Sequence, residues 1–422
     1  MKRLPAITLS LLLVLSLAFW AVSGLRTGSE QPEPLGRSVN LMDSVTAQSQ
    51  PDEAVPEYAS AAAADFALRL LRAGMSEGEN TLISPLSVLC ALAMTANGAE
   101  GETRRQMEAV LGMPVEELNA ALRSWTAALP REESCRFSLS NAIWFTDDSR
   151  FSVSRDFLQV NADWYGAGAY RAPFDQGTCD EINAWVQERT GGMIDGILDR
   201  ISEDAVMYLV NALAFDGQWA EPYERDQVQE ASFTTEDGRS LPAELMWSTE
   251  DRFLRDEHAV GFLKAYKGYR YAFAALLPEE GMSLEDYAAS LTGQGVIDLL
   301  EGAQHAGVRA ALPKFTGDCQ AELSGVLSAL GMPLAFDAAS ADFSALGRSE
   351  SGNIFISRVL HRTHIAVDEL GTRAAAASAV EMADMGGFIG ETEEVVLDRP
   401  FLYMIVDLET NVPVFIGTAA EL

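Results

Sequence analysis

This 422-residue chain is poor in positive charge, in histidine and in cysteine, and each shortage excludes a class of function. Lys and Arg number 30 against 62 Asp and Glu, a formal net charge of −32. Such a chain repels phosphate backbones, and no Lys/Arg cluster interrupts the acid, so neither nucleic acid nor a heparin-like polyanion is an expected partner. The acid reads as a solvated surface that keeps the protein soluble. The only histidines are His258, His305, His361 and His364. His361 and His364 stand three apart on a predicted strand, so they point to opposite faces and cannot chelate one metal without a bulge. The cysteines, Cys90, Cys135, Cys179 and Cys319, include no C-x-x-C spacing. Cys90 sits on an apolar helix face and reads as a buried thiol, and a fold of this size does not need a disulfide. Also missing are a G-x-x-x-x-G-K-[ST] phosphate loop and an H-E-x-x-H zinc helix. Adjacent acids such as Asp147-Asp148 and Glu393-Glu394 read as surface charge. No enzymatic activity, metal or cofactor is expected.

No Pro/Gly/Ser-rich linker divides the chain after residue 58, which favours one large mixed domain over the two that length alone allows. The N-terminus reads as a targeting segment. Met1-Lys2-Arg3 is basic, Leu4 to Val22 is apolar, and Ala21-Val22-Ser23 offers small residues at cleavage spacing. Residues 1–23 are therefore a signal peptide or, given the length of the apolar stretch, an uncleaved anchor. No cysteine lies near its end, so a lipoprotein anchor is not expected. Export, to a secreted or cell-surface location, follows. Residues 24–57, rich in Ser, Gln, Glu and Pro, read as a disordered spacer. The globular domain spans 58–422.

Within it, helices are predicted at Ala59–Leu71, from Pro85 to about Gly98, and at Thr103–Leu111, Val115–Leu129, Val153–Tyr165, Asp180–Thr190, Ser283–Leu300 and Cys319–Leu330. Ser84 caps the second, with Pro85 at its first position. Strands are predicted at Phe137–Phe145, Ala167–Phe174, Tyr269–Leu277, Ile356–Glu369, Val395–Leu397, Phe401–Asp407 and Val412–Thr418. Met207 to Phe215 is a continuous apolar run, expected as a strand buried on both faces. Helices and strands mix without β-α-β regularity, which points to an α+β domain with several sheets.

The most distinctive stretch runs from Glu369 to Met385. A Gly371-Thr372 pair opens Arg373, Ala374, Ala375, Ala376, Ala377, Ser378 and Ala379. Taken alone the run favours helix, because alanine is the best helix former. At strand period, however, Thr372, Ala374, Ala376, Ser378 and Val380 share a small uncharged face, and Arg373 and Glu381 fall on the other. No proline occurs from Glu369 to Met385, so every backbone N–H there can join a ladder.

The flanking residues carry a resemblance. Asn80-Thr-Leu-Ile-Ser84-Pro85-Leu-Ser87, Gly98-Ala99-Glu-Gly101-Glu-Thr103, Asn211-Ala-Leu-Ala-Phe215-Asp-Gly217-Gln-Trp219, Leu312-Pro313-Lys314-Phe315, Arg399-Pro400-Phe401 and Pro413-Val414-Phe415-Ile416-Gly417 resemble, in order, signatures of the serpins. The match covers about residues 58–418. The resemblance implies a single serpin-like α+β domain with several β-sheets, a helical cluster and an exposed reactive loop at about 369–398. It implies an exported suicide-substrate inhibitor of serine proteases. A protease attacks the loop and forms an acyl-enzyme ester, and the cleaved loop then inserts into a central sheet before water releases the ester. About 15 inserted residues at about 3.3 Å each carry the protease about 50 Å. The native fold is then expected to be a kinetic trap.

Glu369, Gly371, Thr372, Arg373 and Ala374 to Ala377 match the family's hinge, with Gly371 expected to serve through its conformational freedom. Ser84, Ser87, Asn211 and His361 match positions beneath the gap where the loop enters, and Trp219 matches the tryptophan above it. Ordinary core roles also fit these five: Ser84 as a helix cap, Asn211 as a buried amide, Trp219 as packing. Counting from Glu369, the reactive bond joins Met385 to Gly386, with Met382, Asp384 and Phe388 as alternatives for its first residue. A methionine there suits elastase-, chymotrypsin- or subtilisin-like proteases and not a trypsin-like pocket. A monomer is expected. The competing reading is a non-inhibitory serpin that binds, stores or chaperones another molecule.

Overall fold

The computed structural model describes residues 37–50, 53–149, 151–202, 205–350, 352–372 and 392–422. Residues 1–23, Arg373, Ala374 to Ala377, the Met385–Gly386 bond and its alternatives Met382, Asp384 and Phe388 lie outside the described residues. Among those described, no helix is long and apolar enough to cross a membrane.

Two large sheets organise the domain, with helices on their faces and ends. The central sheet is built from β1 (Val39–Asn40), β2 (Cys135–Thr146), β3 (Gly168–Ala172), β4 (Met207–Gln218), β5 (Phe315–Glu322), β6 (Arg358–Val367) and β7 (Gly371–Thr372). Across the sheet they run β1-β3-β2-β4-β7-β6-β5. The apolar run that forms β4 is buried throughout, as its lack of alternation requires. Met207, Leu209, Leu213 and Phe215 face the main core, while Tyr208, Val210 and Ala212 face a second cluster with Ile182, Trp185 and Val186 of the helix Gln176–Arg189. The helix Pro85–Ala96 packs into the main core from the other side, buried along its whole length. The second sheet orders Thr392–Val396, Gln304–Pro313, Ser240–Arg255, Ala259–Ala265, Tyr271–Pro278, Phe401–Asp407, Val412–Ala419 and Thr81–Ile83, with Val228–Thr234 paired to Ser240–Arg255.

Several sequence expectations change. Residues 319–330 are not one helix. Phe315–Glu322 is β5, paired with β6 from Phe315↔Val367 to Glu322↔Leu360, and only Ser324–Leu330 is helical. The ladder outweighs the helix propensity of Gln320, Ala321 and Glu322. The expected helix over 283–300 breaks at Leu291–Thr292, because the Thr292 hydroxyl accepts from Gly295 N–H at 3.0 Å and caps a second helix. The helix expected from Val153 starts at Arg155, since Phe151–Val153 pairs with Gly347–Ser349. Residues 37–50 also depart from the spacer reading. Val39 and Asn40 pair with β3. Arg37 N–H donates to Glu181 at 3.0 Å, Ser38 donates to the same carboxylate, and Gln48 N–H donates to Asp163 at 2.7 Å. Backbone pairing and fixed acceptors hold a segment whose composition alone reads as unstructured.

Candidate functional site: a slot in the central sheet

The site lies where β4 and β6 part. Lower down they pair directly and in parallel, from Tyr208↔Arg358 to Ala212↔Arg362, with Asn211 opposite His361. Above that, the two-residue β7 stands between them, antiparallel to both. Gly371 pairs with Gln218, and Thr372 pairs with Gly217 on one side and Val367 on the other. The sheet is thus zipped at the bottom and wedged at the top.

The wedge is clamped from above. Trp219 is fully buried and stacks on Tyr266, with ring centroids 4.6 Å apart and 14° between planes. Its indole N–H donates to the Asp368 carbonyl at 2.9 Å, its backbone N–H to Leu370 at 3.0 Å, and Tyr223 N–H to Glu369 at 2.9 Å. These three bonds fix the turn that feeds β7. The Tyr266 and Thr372 hydroxyls lie 2.6 Å apart, and Thr372 is 1% exposed. Gly371 is required for a reason other than the one its sequence suggested. Its φ is not in the left-handed region, but a Cβ there would lie 2.0 Å from the Gly217 carbonyl oxygen and 2.8 Å from Gln218 Cα. Close approach of two backbones is the constraint.

Two lysines brace the clamp through ion pairs. Lys314 Nζ lies 2.6 Å from Glu369 and 3.4 Å from Glu244. Partial burial opposes the charge on both Lys314 and Glu369, but their contact outweighs it, raising the lysine pKa and lowering that of the carboxylate. Lys264, almost fully buried, lies 2.8 Å from Glu250 and places its ammonium over the Tyr223 ring at 4.2 Å and the Trp219 ring at 5.5 Å.

Below the wedge, polar groups are buried beside the zipped part of the sheet. Ser84 N–H donates to His361 Nε2 at 3.1 Å, and the Ser84 hydroxyl donates to the Val414 carbonyl at 2.9 Å. Ser87 N–H reaches the Ser84 hydroxyl at 3.4 Å. Asn211 donates its amide to Asn141 on β2. His361 therefore carries its proton on Nδ1, and its burial pushes the ring pKa down to about 4. Three buried atoms here have no partner among the described residues: Ser87 Oγ, Asn211 Oδ1 and His361 Nδ1. His364, on the opposite face, pairs with Asp318 at 3.0 Å, so the two histidines diverge as their spacing requires.

The structure brings Glu369, Gly371, Thr372 and Trp219 together at the top of the slot, and Ser84, Ser87, Asn211 and His361 at its floor. Sequence reasoning missed Tyr266, Tyr223, Lys264, Asn141 and the Lys314–Glu369 pair. Lys314 sits in the Leu312-Pro313-Lys314-Phe315 motif, but nothing local ties it to Glu369 across 55 positions.

Comparison with known proteins agrees with this geometry. The family model described as serpin (serine protease inhibitor) matches residues 61–422. The rice protein Serpin-ZXA (Oryza sativa subsp. japonica) is 31% identical over 83% of this chain and 94% of its own length. The solved structure of a thermophilic serpin, tengpin, in its native state superposes with a TM-score of 0.87 at 43% identity, covering 92% of this chain and all of that one. The same protein in its latent state covers 87% of this chain and 99% of that one, at 42% identity, with a lower TM-score of 0.77. On the family match, the relative and the shared fold, this chain belongs to the serpin family.

Proposed function

We propose that the chain is an exported suicide-substrate inhibitor of serine proteases that traps the acyl-enzyme by drawing its cleaved loop into the slot. The observation that carries this reading is β7, which already stands between β4 and β6 in antiparallel register with both. Continuing that register brings Ala374 beside Phe215 and Ile365, Ala376 beside Leu213 and Thr363, and Ser378 beside Asn211 and His361. The zipped part has the compatible stagger, since Asn211 and His361 are opposite each other there. Every inward residue of the incoming segment is small and uncharged. Its one hydroxyl at the floor, that of Ser378, arrives where Asn211 Oδ1 and His361 Nδ1 lack partners.

The chemistry belongs to the protease. Its serine oxygen bonds to the carbonyl carbon of Met385, the bond to Gly386 breaks, and the freed amine of Gly386 takes the proton passed on by the protease's histidine. The ester persists because insertion removes the loop from the protease's working geometry before water attacks. Methionine at the reactive position supports elastase-, chymotrypsin- or subtilisin-like targets. Export rests on the basic, apolar and small-residue order of residues 1–23.

The test is to mix the chain with chymotrypsin or elastase and separate the products on a denaturing gel. A band at the summed mass, with loss of protease activity, supports the inhibitor. Fragments alone, with the protease still active, refute it and leave the non-inhibitory reading.

A further inference from the structure

Beside the clamp, the surface folds into a cavity of about 500 Å³. Its walls are the strand segments 249–252 and 263–265, the end of the helix Gly293–Glu301, and the turns carrying Tyr269 and Asn411. The volume lies within the range of small-molecule sites. Leu263, Ala272 and Leu300 supply apolar lining.

The charge available in the cavity is negative. Carboxylates outnumber cations on its lining: Glu221, Glu250, Asp251 and Glu301 stand against Lys264, which pairs with Glu250 at 2.8 Å, and Arg252, whose guanidinium donates to the Ala303 carbonyl at 3.4 Å. Glu221, Asp251 and Glu301 line the same space and have no ion-pair partner among the described residues. Tyr269 and Asn411 add a second feature. Among the described residues they alone, other than glycines, have positive φ, at 56° and 57°, and both line this cavity. Tyr269 is 68% exposed, so a large aromatic ring is presented to solvent from an unfavourable backbone conformation.

From these features together we infer that the cavity binds a small organic cation, an ammonium or guanidinium carried on an aromatic or aliphatic body. The carboxylates receive the charge, the Leu263 and Leu300 side of the cavity receives the body, and the Tyr269 ring offers its negative face at the rim. The cavity shares Lys264 with the clamp, whose ammonium lies over Trp219 and Tyr223. A bound cation that competes for Glu250 therefore acts on the groups that hold the Asp368–Leu370 turn.

Titration calorimetry of the intact chain, at pH 8 so that free histidine is neutral and at physiological salt so that diffuse attraction is screened, tests the assignment. The probes are tryptamine and its anionic counterpart indole-3-propionate. Saturable one-to-one binding of tryptamine is expected, at least tenfold tighter than that of the anion. The double variant Asp251→Asn with Glu301→Gln, both on the surface, should weaken tryptamine at least tenfold. Tyr269→Gly, which relieves the left-handed backbone, should weaken binding while raising the melting temperature. No saturable heat, equal binding of the two probes, or unchanged affinity in these variants overturns the inference. No protease enters the assay, so its outcome is independent of the inhibitor reading.

Discussion

Replacing Thr372 with arginine attacks the slot at its entry, and the geometry sets the size of the effect. Thr372 is 1% exposed, and its hydroxyl meets that of Tyr266 at 2.6 Å. The substitution leaves the Tyr266 hydroxyl, itself fully buried, without this partner, at a cost of about 1–3 kcal/mol. A guanidinium held at the same point finds no carboxylate in the stack of Trp219 and Tyr266, and an unpaired buried charge costs about 3–5 kcal/mol. The arginine therefore stays outside, β7 withdraws, and insertion slows about a thousandfold or more relative to hydrolysis of the ester. The native fold survives, because β4 keeps its long pairing with β2 and its direct pairing with β6. The assay combines the denaturing gel with residual protease activity at increasing ratios of inhibitor. The variant should be cut at the wild-type bond yet release active protease, whereas Thr372→Ser, which keeps the hydroxyl, should still trap it. A Thr372→Arg protein that traps protease as well as wild type refutes both the inward direction of this side chain and the insertion mechanism.

Acid should weaken the native state through His361. The unfolded ring takes its proton near pH 6.5 and the native ring at about 4, so the unfolded state holds more protons in between. The stability tied to the neutral ring is fully present above about 6.5 and is lost as pH falls through about 4, a total of roughly 3 kcal/mol. Denaturant titrations across this window should show a steeper fall for wild type than for His361→Gln, whose carbonyl can still accept from Ser84; parallel curves would discount the histidine. Limited proteolysis of the loop should raise the melting temperature, since a full strand then fills the slot, and an unchanged or lower melt favours the non-inhibitory reading. Met385→Arg should redirect inhibition toward trypsin-like proteases, and mass spectrometry should find the released peptide beginning at Gly386. A start at Ala383, Met385 or Ile389 moves the reactive residue to Met382, Asp384 or Phe388.

Local rules made part of this molecule legible. The unbroken apolar run of β4 could only be a strand covered on both faces, and the Ser84-Pro85 pair could only open a helix. The three-residue spacing of His361 and His364 fixed their divergence before any neighbour was known. Sequence patterning failed where long-range pairing decides the conformation. Gly317-Asp318-Cys319-Gln320-Ala321-Glu322 lacks β-branched residues and has much of its length exposed, yet β6 holds it as a strand. The sixteen-residue strand Ser240–Arg255 carries charges along much of its length and was not anticipated. At the slot, the Gly-Thr pair and the small-residue run marked the segment that matters. Its anchors come from distant chain positions: Lys314 for Glu369, Tyr266 for Thr372, and Lys264 beneath Trp219 and Tyr223. Gly371 shows a subtler limit, since its sequence suggests a torsional reason and its surroundings supply a steric one.

The parallel union of β4 and β6 also governs how the domain can assemble. β6 and β7 are joined by the short turn Asp368–Leu370, so their hairpin is a local event on the microsecond scale. β4 and β6 join positions 150 apart, Tyr208 with Arg358, a far slower search. The N–H and C=O groups of Arg358–Arg362 that β4 takes are the same ones a lengthening β7 would take. During synthesis β4 leaves the ribosome well before the residues beyond Thr372 exist, and so has a head start for that edge. A full-length chain diluted from denaturant offers both competitors at once, and the local one is faster. Nascent folding and refolding thus begin from different races, and the direct pairing of Tyr208–Ala212 with Arg358–Arg362 is the arrangement in which β4 holds that edge.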